Sequence, residues 1–99
     1  MRIPKKFKLF ATTYNVEWDN KRANDIGVFG QVSYTDSLIT LADTFGIKKV
    51  SEDQKENTFY HERVHAILYE MGENDLNDNE KFVDIFAKLW KQADDTAEY

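Results

Sequence analysis

The 99-residue chain has no cysteine, only two histidines and no long apolar run. The missing cysteine excludes disulfides, thiol catalysis and cysteine-ligated zinc. No stretch approaches the roughly 18 apolar residues that a membrane span requires. The opening Met1-Arg2-Ile3-Pro4-Lys5-Lys6 has the charge of a secretory leader, but Thr12, Thr13, Asn15 and Glu17 interrupt the residues after it, so no apolar leader core is expected. Positive charge is also short. Thirteen Lys and Arg against eighteen Asp and Glu leave a net charge of −5, which argues against a nucleic-acid partner because polyanion binding depends on neutralising phosphates. The expectation is a protein of the cytoplasm with neither membrane nor nucleic acid as partner.

Aromatic side chains are well supplied: seven Phe, five Tyr and two Trp, within 41% hydrophobic residues, suffice for a packed core. The length predicts one domain over residues 1–99. Such a domain buries only about 60–70% of its unfolded surface, so a bound metal would matter to its stability. Charge is uneven along the chain. Arg2, Lys5, Lys6 and Lys8 cluster early, whereas eight acids and three lysines occupy the chain from Glu73 onward. The early lysines read best as a solvated strand edge protected against aggregation.

Periodicity divides the chain in two. Residues 5–41 read as strands: Phe7 and Leu9 alternate with lysines, and Tyr14, Val16 and Trp18 alternate with Thr13, Asn15 and Glu17. Ala11-Thr12 is the expected link between these two strands. Asp19 to Gly27 shows no apolar rhythm and reads as a loop. A third strand is expected over 28–34 and a fourth over 38–41, together an antiparallel meander. The second half is helical. Ser51 with Gln54 matches a capping box, Tyr60, Val64, Ile67, Leu68 and Met71 recur at three and four, and Gly72 is a natural stop, predicting a helix over about 51–71. A second helix is expected over about 77–93, with Phe82, Val83, Phe86, Leu89 and Trp90 on one face and a frayed acidic tail after it. The fold class is α+β: three or four antiparallel strands packed on the two helices.

His61-Glu62-Arg63-Val64-His65 is an H-E-x-x-H motif inside the first long helix. At about 100° per residue, the two imidazoles lie on one face a turn apart, and Glu62 is rotated beside that face. Two imidazoles so placed can share a zinc ion, and the neighbouring carboxylate can serve water without ligating the metal. Both histidines of the chain are in this motif, bordering the apolar stripe. A third ligand must then be a carboxylate. Glu70 faces away, and Glu73, Asp75 and Asp78 lie in the turn. Glu80 opens the next helix fifteen residues after His65 and is the best placed, although with Asn77 it also fits a purely structural cap. Asp84, one turn on, could fix the tautomer of a ligating histidine, ligate in competition, or pair with Lys81 or Lys88.

The H-E-x-x-H motif followed by Asn79, Glu80 and Asp84 resembles the gluzincin zinc peptidases, of which thermolysin-like enzymes are familiar members. The chain as a whole resembles the very small, minigluzincin type found in phages and prophages. Compared with thermolysin-like enzymes, the gap from His65 to Glu80 is shorter and the domain forming the lower wall of the cleft is missing. The resemblance implies Glu80 as third ligand and a sheet over the motif helix, with an edge strand able to bind an extended peptide. Zinc held by His61, His65 and Glu80 would activate water, and Glu62 would take its proton. Tyr34, Tyr60 and Tyr69 stay open as donors to the oxyanion. The expected function is a zinc metallopeptidase acting on a peptide or protein. The alternative is a catalytically silent, zinc-stabilised interaction module, for which a general base would have no use.

Overall fold

The computed structural model describes residues 3–99, which form an α+β fold. Lys6–Leu9 (β1) and Thr12–Trp18 (β2) make an antiparallel hairpin. Asn20–Ile26 is a short helix (α1), followed by Gly30–Ser33 (β3) and Leu38–Leu41 (β4). Thr44–Phe45 (β5) and Lys48–Lys49 (β6) form a second small hairpin. Three helices complete the chain: Glu52–Met71 (α2), Asn74–Asn77 (α3) and Glu80–Thr96 (α4).

The main sheet has the order β1-β2-β4-β3, and the expected antiparallel meander breaks at its centre. β2 and β4 run parallel, with Val16 opposite Ile39. The cause lies in residues 19–27, which read from sequence as a loop. The Asp19 carboxylate accepts from the Arg22 amide at 3.0 Å and caps α1, while Gly27 closes it at φ +73°. This helix carries the chain away from β2, so β3 becomes the outer strand and β4 returns to the middle. The composition of β4 suits that place: Ile39, Thr40 and Leu41 are all buried, as a strand covered on both faces requires.

Smaller differences have local causes. Phe10, at φ +53°, and Ala11 make the first turn, because Thr12 already pairs with Leu9. β1 is the opposite edge and exposes Lys6 and Lys8, as an edge strand should; Arg2 lies outside the described residues. Among the described residues, no helix is long and apolar enough to cross a membrane.

α2 lies across the sheet. Phe59, Tyr60, Val64 and Leu68 pack with Val16, Ile39 and Leu41 on one side and with Val83 and Ala87 of α4 on the other. The core line of α4 advances by four residues, through Val83, Ala87 and Lys91. Phe86 and Leu89, expected on that face, are 48% and 61% exposed on its flank. Nor does the acidic tail fray where expected. α4 continues to Thr96, Asp94 accepts from the Tyr60 hydroxyl at 2.6 Å, and Asp95 accepts from Lys91 at 2.7 Å.

β3 approaches α2 closely because Gly30 has no side chain. A Cβ there would stand 2.5 Å from Cγ2 of Thr58, and Thr58 is held by its hydroxyl donating to the Gln54 carbonyl at 2.8 Å. Gly30→Ala is expected to cost about 1–3 kcal/mol, read as a lower urea midpoint at unchanged slope. An unaltered midpoint would show that Thr58 yields.

Candidate metal centre

The motif helix begins and ends as its sequence dictates. Ser51 Oγ accepts from the Gln54 amide at 3.1 Å, and Gly72 ends the helix at φ +74°. With Tyr60, Val64 and Leu68 buried, the helix has one rotation, and that rotation directs His61 and His65 toward the start of α4. Their ring centroids are 5.0 Å apart. Arg63 leaves on the other side, where its guanidinium lies 4.1 Å from the Trp90 ring centroid and 4.6 Å from that of Tyr60. Its charge therefore does not crowd the pair.

Helix α4 starts at Glu80, not near Asn77. Asn79 is its cap, its side-chain oxygen accepting from the Phe82 amide at 3.0 Å. The cap box expected for Asn77 and Glu80 does not form, because the turn holds a separate short helix, α3, and helix α4 starts three residues later. Glu80 is left free to reach across. One carboxylate oxygen lies 3.3 Å from His61 Nε2 and the other 3.1 Å from His65 Nε2.

Asn77 has a different task. Its side-chain oxygen is 2.5 Å from His65 Nδ1, and its amide donates to the Tyr34 hydroxyl at 3.0 Å. An amide oxygen only accepts, so this contact requires the proton of neutral His65 on Nδ1 and leaves a lone pair on Nε2. That lone pair faces the Glu80 carboxylate. Two acceptors so placed need a cation or a proton between them. Three donors around a tetrahedral zinc ion at about 2.1 Å would themselves be about 3.4 Å apart. The observed separations fit that donor set. His61, His65 and Glu80 each bring a ligand atom within 4.8 Å of the others, and among the described residues they are the one such group of three. Burial first, and then the neighbouring His65, hold the His61 pKa below its ordinary value, despite the carboxylates of Glu80 and Asp84. A neutral imidazole is the ligating form.

The other acids are elsewhere. Asp84 stands 3.8 Å from His61 Nδ1 and accepts from Lys88 at 3.0 Å, so it sits behind the first histidine and pairs with Lys88, not Lys81. Glu70 accepts from the Tyr14 hydroxyl at 2.8 Å on the sheet side of α2. Glu73, Asp75 and Asp78 are exposed and outside the group. Glu62 is 9% exposed, and burial pushes its carboxyl up to about 7, with Glu80 adding to the rise and His65 opposing it. Of the three tyrosines, Tyr60 is committed to Asp94, away from the pair. Tyr34 stacks on Tyr69 with centroids 4.3 Å apart and is linked to His65 through Asn77.

A cleft of about 460 Å³ lies beside the histidines, with His61 and Glu62 on its floor, Val28 to Gly30 along one wall and Asp84 and Lys88 along the other. Spacing and periodicity do not single out Asn77 as a site residue. The signal for it is the need of a ligating histidine for an acceptor at its second nitrogen, which an Asn or Asp in the following turn can supply. No family model, no curated protein and no solved structure matches the chain.

Proposed function

We propose that the chain is a zinc-dependent peptidase of gluzincin type, with His61, His65 and Glu80 as metal ligands and Glu62 as general base. The observation that carries this reading is the convergence of His61 Nε2 and His65 Nε2 on the two Glu80 carboxylate oxygens, at 3.3 and 3.1 Å, with His65 Nδ1 engaged by Asn77. A zinc ion at this donor set would acidify water and polarise a substrate carbonyl.

The remaining work falls to the chain. Glu62, in the cleft and outside the ligand set, accepts a proton at a carboxylate oxygen and returns it to the leaving amine. Its burial favours that exchange, because a carboxyl raised toward neutrality is a stronger base and, near neutral pH, can hold the proton until the leaving amine takes it. Asn77 keeps His65 in one tautomer and one orientation. β3 is paired to β4 on one side and, among the described residues, has no strand on the other, so an extended peptide can add there and pass over the histidines. The same reading takes the enzyme as cytoplasmic and, through the resemblance to the minigluzincin type, as of phage or prophage origin.

The test joins metal binding to turnover. Zinc titration should give one ion per chain, and the loaded protein should cleave a peptide library until a chelator is added. Glu80→Gln should weaken zinc at least about tenfold more than Asp84→Asn, since one removes a ligand and the other a residue behind a ligand. The reverse order would make Asp84 the third ligand. Zinc binding without any cleavage would favour the silent interaction module.

A further inference from the structure

The cleft does not end at the histidines. Past Phe29 and Gln54, which border both spaces, it continues into a second hollow of about 380 Å³ walled by Phe45, Lys48, Lys49 and Ser51. Phe29 forms the ridge between them, 41% exposed and backed by Phe45 with ring centroids 4.8 Å apart. β3 points the same way, since Gly30 touches Thr58 on α2 whereas Tyr34, beyond its other end, reaches Asn77. A strand added to β3 therefore runs from the histidines toward the β5–β6 hairpin.

That end of the groove is cationic in a chain of net charge −5. Lys48 and Lys49 are both exposed, and among the described residues neither has a carboxylate within ion-pair distance. The nearest acids along α2 are engaged: Glu52 with Lys55 at 2.9 Å and Asp53 with Lys91 at 2.8 Å. The hairpin is also held in place. Asn24 of α1 accepts from the Gly46 amide at 2.6 Å and donates to the Thr44 carbonyl at 3.1 Å, and Asn20 accepts from the amides of Asp43 and Thr44. Two lysines without an ion-pair partner among the described residues thus project from an anchored hairpin beside the second hollow.

We infer that the preferred substrate of this site is a peptide segment with an acidic side chain three to five residues from the bond at the histidines, received by Lys48 and Lys49. The inference rests on the peptidase reading for the position of that bond. The spacing comes from the helix. Gln54 and Ser51 precede His61 by seven and ten residues, or about 10–15 Å at 1.5 Å each. An extended peptide covers that span in about three to five residues at 3.3 Å each.

Binding can be measured apart from cleavage. The probes are fluorescein-labelled decapeptides in which one glutamate is moved through a neutral, glutamine-rich background. The protein is zinc-loaded Glu62→Gln, read by fluorescence anisotropy. Glutamate at the predicted distance, on one side of the peptide centre, should tighten binding about fivefold over the all-glutamine peptide. The gain should vanish in the background carrying Lys48→Glu and Lys49→Glu, which should instead favour a lysine at that position. Equal affinity for glutamate at every position, a preference that survives the double substitution, or no binding of any peptide each overturns the inference. The peptidase reading is judged separately, by whether the wild-type protein cleaves these peptides. A charge preference without cleavage sinks the catalysis and leaves the groove.

Discussion

Replacing His65 with alanine is expected to take zinc from one ion per chain to none. The remaining nitrogen of His61 and the Glu80 carboxylate make a two-donor site, and two donors do not complete a protein zinc centre. The loss should appear in stability as well as in metal content. A ligand that binds only the folded chain stabilises it by about 4 kcal/mol when present a thousandfold above its Kd. In a domain of this size that corresponds to a rise in Tm of roughly 15 °C or more. Zinc should produce that rise in the wild-type protein and leave His65→Ala unmoved. The substitution also leaves the side-chain oxygen of Asn77 without its His65 partner, so a lower Tm without zinc is expected in the variant. The zinc-dependent increment is therefore the informative quantity. An unchanged increment, with one ion still bound, would remove His65 from the site.

The site is more legible in the sequence than the fold around it, for a physical reason. His61, Glu62 and His65 lie inside one helix whose phase is set by Tyr60, Val64 and Leu68 and whose ends are marked by Ser51 and Gly72, so spacing alone fixes their relation. Glu80 requires only that the chain turn back. Spacing does not reveal the start of α4. Asn77 and Asn79 are equally good caps by type, and the choice of Asn79 is made by α3, a four-residue helix with no apolar rhythm. That choice frees Asn77 for His65 and Glu80 for both imidazoles.

The sheet is harder to read because its order depends on a segment with almost no hydrophobic signal. In α1 the buried residue is Ala23, and the polar residues around it hide the helix from any periodicity argument. Its caps, Asp19 and Gly27, are readable, and so is the continuous apolar run Leu38-Ile39-Thr40-Leu41 that marks a central strand. Together they contradict a simple meander. The β5–β6 hairpin shows less still, being two residues on each side and held by the side chains of Asn20 and Asn24 twenty or more positions away.

The second large effect is expected from Glu62→Gln. Zinc content should hold, because Glu62 is not among the three donors, while hydrolysis should fall by about 10²–10⁴, the usual contribution of a positioned base. Hydrolysis that survives would assign the proton transfer to another group. The same variant tests the burial of the carboxyl in the metal-free protein. The Glu62 pKa is raised from 4.5 to about 7, so the folded chain holds the proton more tightly than the unfolded one. The resulting stabilisation is complete below about pH 4.5 and is lost as the pH rises through 7. Metal-free wild type should therefore lose up to about 3 kcal/mol between pH 4.5 and 8 relative to Glu62→Gln, less whatever the His65 charge returns to the ionised carboxylate. Parallel urea profiles would mean that water reaches the carboxylate, and a base so hydrated would lack the raised pKa on which its double role as acceptor and donor depends.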